Sequence, residues 1–384
     1  MTGSKRAIGI GGVLLAMAGV VVLVGDVPAA QAARRDATCA NAPTDATTIQ
    51  NAINASNPGD EVVITGRCLI TSTIKLRDER TYRGDARSDR AGAGTLLRQA
   101  DGQNLPALVA TETWYDDQPW VSSSIRIENL TLDGNREANT GTIGLALQTW
   151  DSRVYDVKVQ FTPGDGIRLS SVSRNGVPLP AGNNSVNGVI SDVFVEHSGG
   201  AGIRVVDPAN NVTDWVLERS WISDSGGSGV DLDNAAGWQV RDLHVYESAR
   251  HAIDARRCYN AGIHDNYIED FGIQGTADTV YYGIRCTLQS GSPATVIGNK
   301  INYLYGTLPA ASYVYLGLEG HQSGASYAAV TGNAVVGRGT TRETGLRYAL
   351  GAGTAITVAS TGNLVTGVGT RRSVGAGVTV TAGQ

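Results

Sequence analysis

The sequence predicts an all-β solenoid, a single-stranded right-handed parallel β-helix (solenoid) with an N-terminal capping helix. Three observations predict it. A segment of about thirty residues recurs along the chain, each copy carries apolar residues at every second position in two separate stretches, and 49 of the 384 residues are Gly without a three-residue period. Glycine scattered among Val, Ile and Thr runs excludes collagen and argues against a helical bundle. A formal charge of -5 and a pI near 5.6 exclude a general nucleic-acid footprint, so any electropositive site must be local.

The repeats read DVKVQFTPGDGIRL from Asp156, DVFVEHSGGAGIRV from Asp192, RSWISDSGGSGVDL from Arg219 and DLHVYESARHAIDA from Asp242. Their first half returns from Asn129, Asp265, Gly298, Gly332 and Gly362, so successive starts lie 23 to 36 residues apart. Each copy is read as an alternating strand, a polar Gly-rich turn and a second alternating strand. Strands so spaced stack on their counterparts one coil away, about 4.8 Å distant, and build inward apolar ladders. Right-handedness is the expectation for parallel crossovers. Ile167, Ile203, Val230, Ile253 and Ile284 form one expected ladder in a body of nine to eleven coils.

At the N-terminus, Lys5 and Arg6 precede an apolar run over 7–24, followed by Pro28 and the small residues Ala29, Ala30, Gln31 and Ala32. Residues 1–32 read as a secretory signal peptide, with a membrane anchor as the rival; four Gly in the run and the small-residue site favour cleavage. The expectation is a secreted, extracellular protein with no membrane contact after signal removal and one domain over 33–384. Thr47 and Gln50 have capping-box spacing, and Ile49, Ala52 and Ile53 give the apolar face of a helix that ends near Asn57-Pro58-Gly59 and plugs the first coil. Residues 340–384, rich in Gly, Thr and Ala, read as weaker final rungs or a tail. Cys39, Cys68, Cys258 and Cys286 are an even set in an exported chain, and their grouping suggests Cys39 with Cys68 and Cys258 with Cys286.

The stretch TDATTIQNAINASNPGDEVVITG, with STIKL and RTYRG after it, resembles the opening of secreted proteins of the pectate-lyase-like superfamily. The resemblance implies a right-handed β-helix and chemistry on polysaccharides, by lyases, hydrolases, epimerases or binding proteins. Two sharper signatures are missing: a polygalacturonase-like NTD, DD, GHG and RIK set in order, and an epimerase-like YGxDPHD string.

Residues between the inward Ile and Val of each second strand point outward. On successive coils these are Arg168, Arg204, Asp231, Asp254, Arg285 and Glu319, and two positions later Asp233, Arg256 and His321. Asp231, Asp233 and Asp254 would repel one another unless an arginine, a shared proton or a cation compensates. A diagonal of about 8 Å between Asp233 and Asp254 suits an acid and a base flanking a water, as in inverting glycoside hydrolysis. Those three are the expected catalytic residues. Arg168, Arg204, Arg256, Arg285, His251, Glu319 and His321 are the expected substrate-binding residues, the arginines pairing with sugar carboxylates. The predicted function is hydrolysis of an extracellular, uronate-containing (pectin-like) polysaccharide, with no cofactor. The alternatives are a Ca²⁺-dependent lyase with the metal on the same aspartates and a non-catalytic glycan-binding adhesin. A plain solvated charged face competes with all three. Trp114, Tyr115 and Trp120 read as a long loop beside an early coil, either stacking on sugars or packing on the helix edge; Tyr281 and Tyr282 carry the same pair of readings.

Overall fold

A computed structural model describes residues 32–88, 93–304 and 306–382. Residues 1–31 of the expected signal segment over 1–32 lie outside the described residues. From Ala33 the chain winds as a right-handed parallel β-helix. Each coil has three strands, not two. In one coil Val189–Ser191, Phe194–Glu196 and Ile203–Val206 lie on a first, second and third face. The third face is an 11-stranded parallel sheet; the other two are joined in a 22-stranded one.

The extra strand was hidden by the corner between the first two faces. Asp192 there has φ 55°, and its counterparts Asn129, Asp156, Arg219, Asp242, Asp265, Gly298, Gly332 and Gly362 are also positive. They are the repeat starts read from the sequence, and Asn, Asp and Gly predominate because they tolerate the left-handed region. In two early coils both strands run on through that residue, as in Arg126–Asp133 and Arg153–Gln160.

Inside, Ile167, Ile203, Val230, Ile253 and Ile284 are consecutive Cα partners, and each is fully buried. The GN and DN pairs of the later repeats form a polar ladder beside this core. The Nδ2 groups of Asn266, Asn299 and Asn333 each donate at 2.9 Å to Oδ1 of the next Asn, ending at Asn363. Buried amides thereby satisfy one another and the corner backbone. Gly202 precedes a third-face strand for lack of space: a Cβ there would sit 2.4 Å from Ile222 Cγ2 and 2.7 Å from the Gly229 carbonyl.

The capping helix spans Asp45–Asn54, with Ile49 and Ile53 fully buried against the first coil. Thr47 and Gln50 do not form its capping box. The helix is capped three residues earlier, at Thr44, whose side chain makes no cap bond. The buried Asp45 carboxylate instead accepts the backbone N–H groups of Ala40, Ala42 and Leu69. The Gln50 amide docks the helix to a neighbouring strand, its Nε2 donating to the Lys75 carbonyl and its Oε1 accepting from the Lys75 N–H. Both disulfides pair as expected, Cys39 with Cys68 and Cys258 with Cys286, at Cα separations of 5.0 and 6.2 Å. Strands over 343–381 continue the ladders, and Thr370–Val374 is exposed at every residue. Among the described residues no helix is long and apolar enough to cross a membrane.

Candidate functional site

The third face carries an outward row in which Lys75, Ala110, Ala146, Arg168, Arg204, Asp231, Asp254, Arg285, Gly317 and Arg347 are successive Cα partners. The row contains the expected stripe with one correction. Gly317, not Glu319, partners Arg285, while Glu319 stacks on Thr287 two residues further along. Both register choices keep Leu316 and Leu318 inward, so alternation alone could not separate them.

The row becomes a groove because both ends are walled. At one end the short helix Glu112–Tyr115 lays Trp114 on Ala107, Ala110, Ile143 and Ala146, where it is 3% exposed. Trp114 is therefore packing and not a sugar platform. Tyr115 lies between Lys75 and Arg174, and Trp120 remains exposed. At the other end the Tyr282 ring covers Gly317, where an added Cβ would lie 2.5 Å from its Cε1. Between these walls is a hollow of about 310 Å³ lined by Asp165, Arg204, Asp231, Arg250, His251, Asp254, Arg256 and Arg285. Hollows of about 680 and 720 Å³ lie elsewhere on the surface. The smaller one is singled out by its buried carboxylates.

Arg256 is the hub of the aspartate trio. Its Nη2 donates to Asp231 Oδ1 at 2.8 Å and to Asp233 Oδ1, and its Nη1 donates to Asp254 Oδ2 at 3.1 Å. An arginine thus supplies the compensation that the stacked carboxylates require. Its guanidinium fills the place where a cation would have to bind. The donor set does not fit Ca²⁺ while Arg256 is seated there. No group of three or more His, Cys, Asp or Glu side chains is placed to hold a metal ion among the described residues.

Asp254 is 3% exposed, and burial pushes its acid up to about 6 against the opposing pull of Arg256 and Arg285. Its Oδ1 has no hydrogen-bond partner, the nearest cation being Arg285 Nη1 at 3.6 Å. Burial also raises Asp231, opposed by Arg256 and Arg204. Desolvation holds His251 down at about 3, so the ring is neutral. Its Nδ1 accepts the Tyr282 N–H at 3.1 Å, which leaves the proton on Nε2. His321 also lies below its ordinary value through burial and Arg257. It is held by Arg257 and Thr287, not turned toward the trio.

The expected substrate-binding arginines differ in how engaged they are. Arg168 is forked onto the buried Asp165, and Arg285 onto Glu319. Arg204 is looser: its buried Nε has no hydrogen-bond partner and lies 3.9 Å from Asp231. Sequence reasoning missed Asp165 and Arg250. Arg250 lines the hollow and makes no ion pair among the described residues. It stands where the two preceding repeats place Gly200 and Gly227, and that substitution was the available signal.

The fold agrees with that of the known proteins that the chain resembles. The family model for a right handed beta helix region matches residues 120–306. The chain is a right-handed parallel β-helix protein of the pectate-lyase-like fold. Among solved structures it is similar to the Azotobacter vinelandii mannuronan C-5 epimerase AlgE6 A-module, with TM-score 0.55 and 16% identity over 90% of this chain and 97% of that one. It is also similar to PfbA, a surface adhesin of Streptococcus pneumoniae, with TM-score 0.53 and 12% identity over 89% of this chain and 93% of that one. A search of curated proteins found no match.

Proposed function

We propose that the groove hydrolyses glycosidic bonds of an extracellular, uronate-containing polysaccharide, with Asp254 as the general acid. The carrying observation is Asp254 itself: a buried acid, raised to about 6, with one oxygen unpaired beside the groove. Such a group retains a proton to deliver to a glycosidic oxygen as the bond breaks. Asp233, the most exposed of the trio, is the carboxylate that takes a proton from attacking water. Arg256 fixes the three carboxylates relative to one another. Arg204 and Arg250, the least engaged cations of the groove, pair with uronate carboxylates. Two disulfides suit an oxidising, extracellular setting.

One observation favours a second reading, glycan binding without cleavage: Arg256 contacts all three aspartates, so the cluster is compensated without substrate. The test is product analysis on polygalacturonate, mannuronan and a neutral glucan, each with and without a chelator. Mannuronan is included because a fold relative is an epimerase acting on it. New reducing ends on a uronate polymer, unaffected by chelator and lost in Asp254→Asn, support hydrolysis. An unsaturated uronate chromophore indicates elimination instead, and intact polymer that still binds leaves the adhesin-like reading.

A further inference from the structure

On the second face the outward row reads Lys158, Phe194, Trp221, His244, Tyr267 and Lys300 on six successive rungs, each the Cα partner of the next. The four rings form a continuous ladder. Centroids are 5.9 Å apart from Phe194 to Trp221, 4.1 Å from Trp221 to His244 and 4.7 Å from His244 to Tyr267. Trp221 is 44% exposed. Beside the first three rings lies a hollow of about 720 Å³, rimmed by Arg87, Asp192, Arg219 and Asp242. The core does not require this arrangement, because inward positions alone fill the coil and outward ones tolerate any polar residue.

We propose that this ladder is a glycan-binding platform, on which a pyranose polysaccharide lies parallel to the solenoid axis, separate from the groove. The row is long, narrow and stepped at the rung spacing of about 4.8 Å, a shape that matches a linear chain of rings better than a globular partner. Aromatic faces stack on the C–H faces of pyranoses, and the charged rim supplies donors and acceptors for hydroxyls. Rings and hydrogen-bonding groups lie side by side here, as the two kinds of surface do on a sugar. Lys300 closes one end of the ladder with an exposed positive charge, which also accommodates uronate units, while at the other end Lys158 is buried against the Phe194 ring and paired with Glu196. His244 is held in place by Glu269, whose carboxylate lies 2.9 Å from Nε2. The platform and groove share coils: Trp221–Ser225 leads directly into Val230–Leu232 of the groove, and His244–Ser248 into Ile253–Cys258. A polymer held on one face keeps further segments close to the other, which raises their effective concentration there. Binding at the platform does not depend on whether the groove cleaves.

Affinity gel electrophoresis through polygalacturonate and through hydroxyethylcellulose tests the proposal and distinguishes acidic from neutral glycans. The protein should be retarded by at least one polymer. Trp221→Ala should weaken that binding about tenfold, the loss of one good aromatic contact. Trp221→Phe should retain most of it, and Asp254→Asn, in the groove, should leave it unchanged. A cross-strand packing role alone would lower the melting temperature of Trp221→Ala without altering its retardation. That result overturns the proposal, as does absence of retardation by both polymers or equal loss in Asp254→Asn and Trp221→Ala.

Discussion

Replacing Asp254 with Asn separates an acid built for proton transfer from a structural ion pair. Burial raises the Asp254 acid from an ordinary 3.8 to about 6, so the folded protein holds a proton that the unfolded chain has released between those values. The sign follows from linkage: a carboxylate with a raised folded pKa lowers stability above that pKa, and the penalty disappears below the unfolded value. A difference of 6 minus 3.8 corresponds to about 3 kcal/mol at pH 8. Asn cannot ionise and so escapes this penalty, in which the pull of Arg256 on the carboxylate is already set against burial. The gain at pH 8 is therefore up to about 3 kcal/mol, read as a rise of several degrees in melting temperature. Thermal unfolding followed by fluorescence from pH 4 to 8 should show the variant above the parent at pH 8, converging by pH 4. Reducing-end assays on the responsive polymer should show at least a ~100-fold loss of turnover at every pH. The parent's own activity should fall as pH rises through 6, where the acid is spent. A variant less stable than its parent at pH 8, with an offset that does not change with pH, would refute the reasoning: Asp254 would then be an ionised strut between Arg256 and Arg285.

Arg256→Met should have the opposite sign, removing the common partner of three carboxylates and costing about 3 kcal/mol at pH 8, with the deficit shrinking toward pH 4 as Asp231 and Asp254, both raised by burial, take up protons; urea unfolding at the two pH values measures it. Asn299→Ala should interrupt the amide ladder at a fully buried rung, leaving the Ile263 carbonyl and the Asn333 Oδ1 short of a donor. Denaturant midpoints should place that loss at about 2–3 kcal/mol, while the groove's activity survives. Gly202→Ala should destabilise by about 1–3 kcal/mol through the Ile222 contact, read as a lowered melting temperature.

The coil plan was legible because its constraints are local and repeated. Val and Ile recur at inward positions, and Asn, Asp or Gly recurs wherever the corner must turn left-handed. The short first-face strand escaped notice because Asp192 ends one alternating pattern and Val193 begins another out of phase. The row from Arg168 to Arg285 was legible since each strand preserves its inward partner, but Glu319 was misplaced because a shift of two residues conserves the pattern. Arg256 was expected to meet substrate; its position inside the aspartate trio depends on side-chain direction, which sequence spacing does not specify. Trp114 likewise carries both readings, platform or packing, until Ala110 and Ala146 beneath it decide for packing.

A solenoid separates what holds the coil from what the coil does. Ladder contacts such as Ile203 with Val230 pass through the interior and are indifferent to the outward neighbour, so Arg204 and Asp231 can stand on the same strands without disturbing them. Stacking then joins residues distant in sequence: Asp165 and Arg285 line one hollow although 120 positions separate them. The arrangement has an electrostatic consequence. Neighbouring rungs are about 4.8 Å apart, close enough that a carboxylate above a carboxylate must be neutralised within the same face. Here two solutions operate together, Arg256 inserted among Asp231, Asp233 and Asp254, and burial that raises the acid of the most buried of them to about 6, so that it holds its proton below that pH. An arginine alone would suffice for a passive charged surface, since three exposed acids could share it and stay ionised. Burial of Asp254 beside that arginine, with one oxygen left unpaired, is the feature that a purely structural cluster does not need.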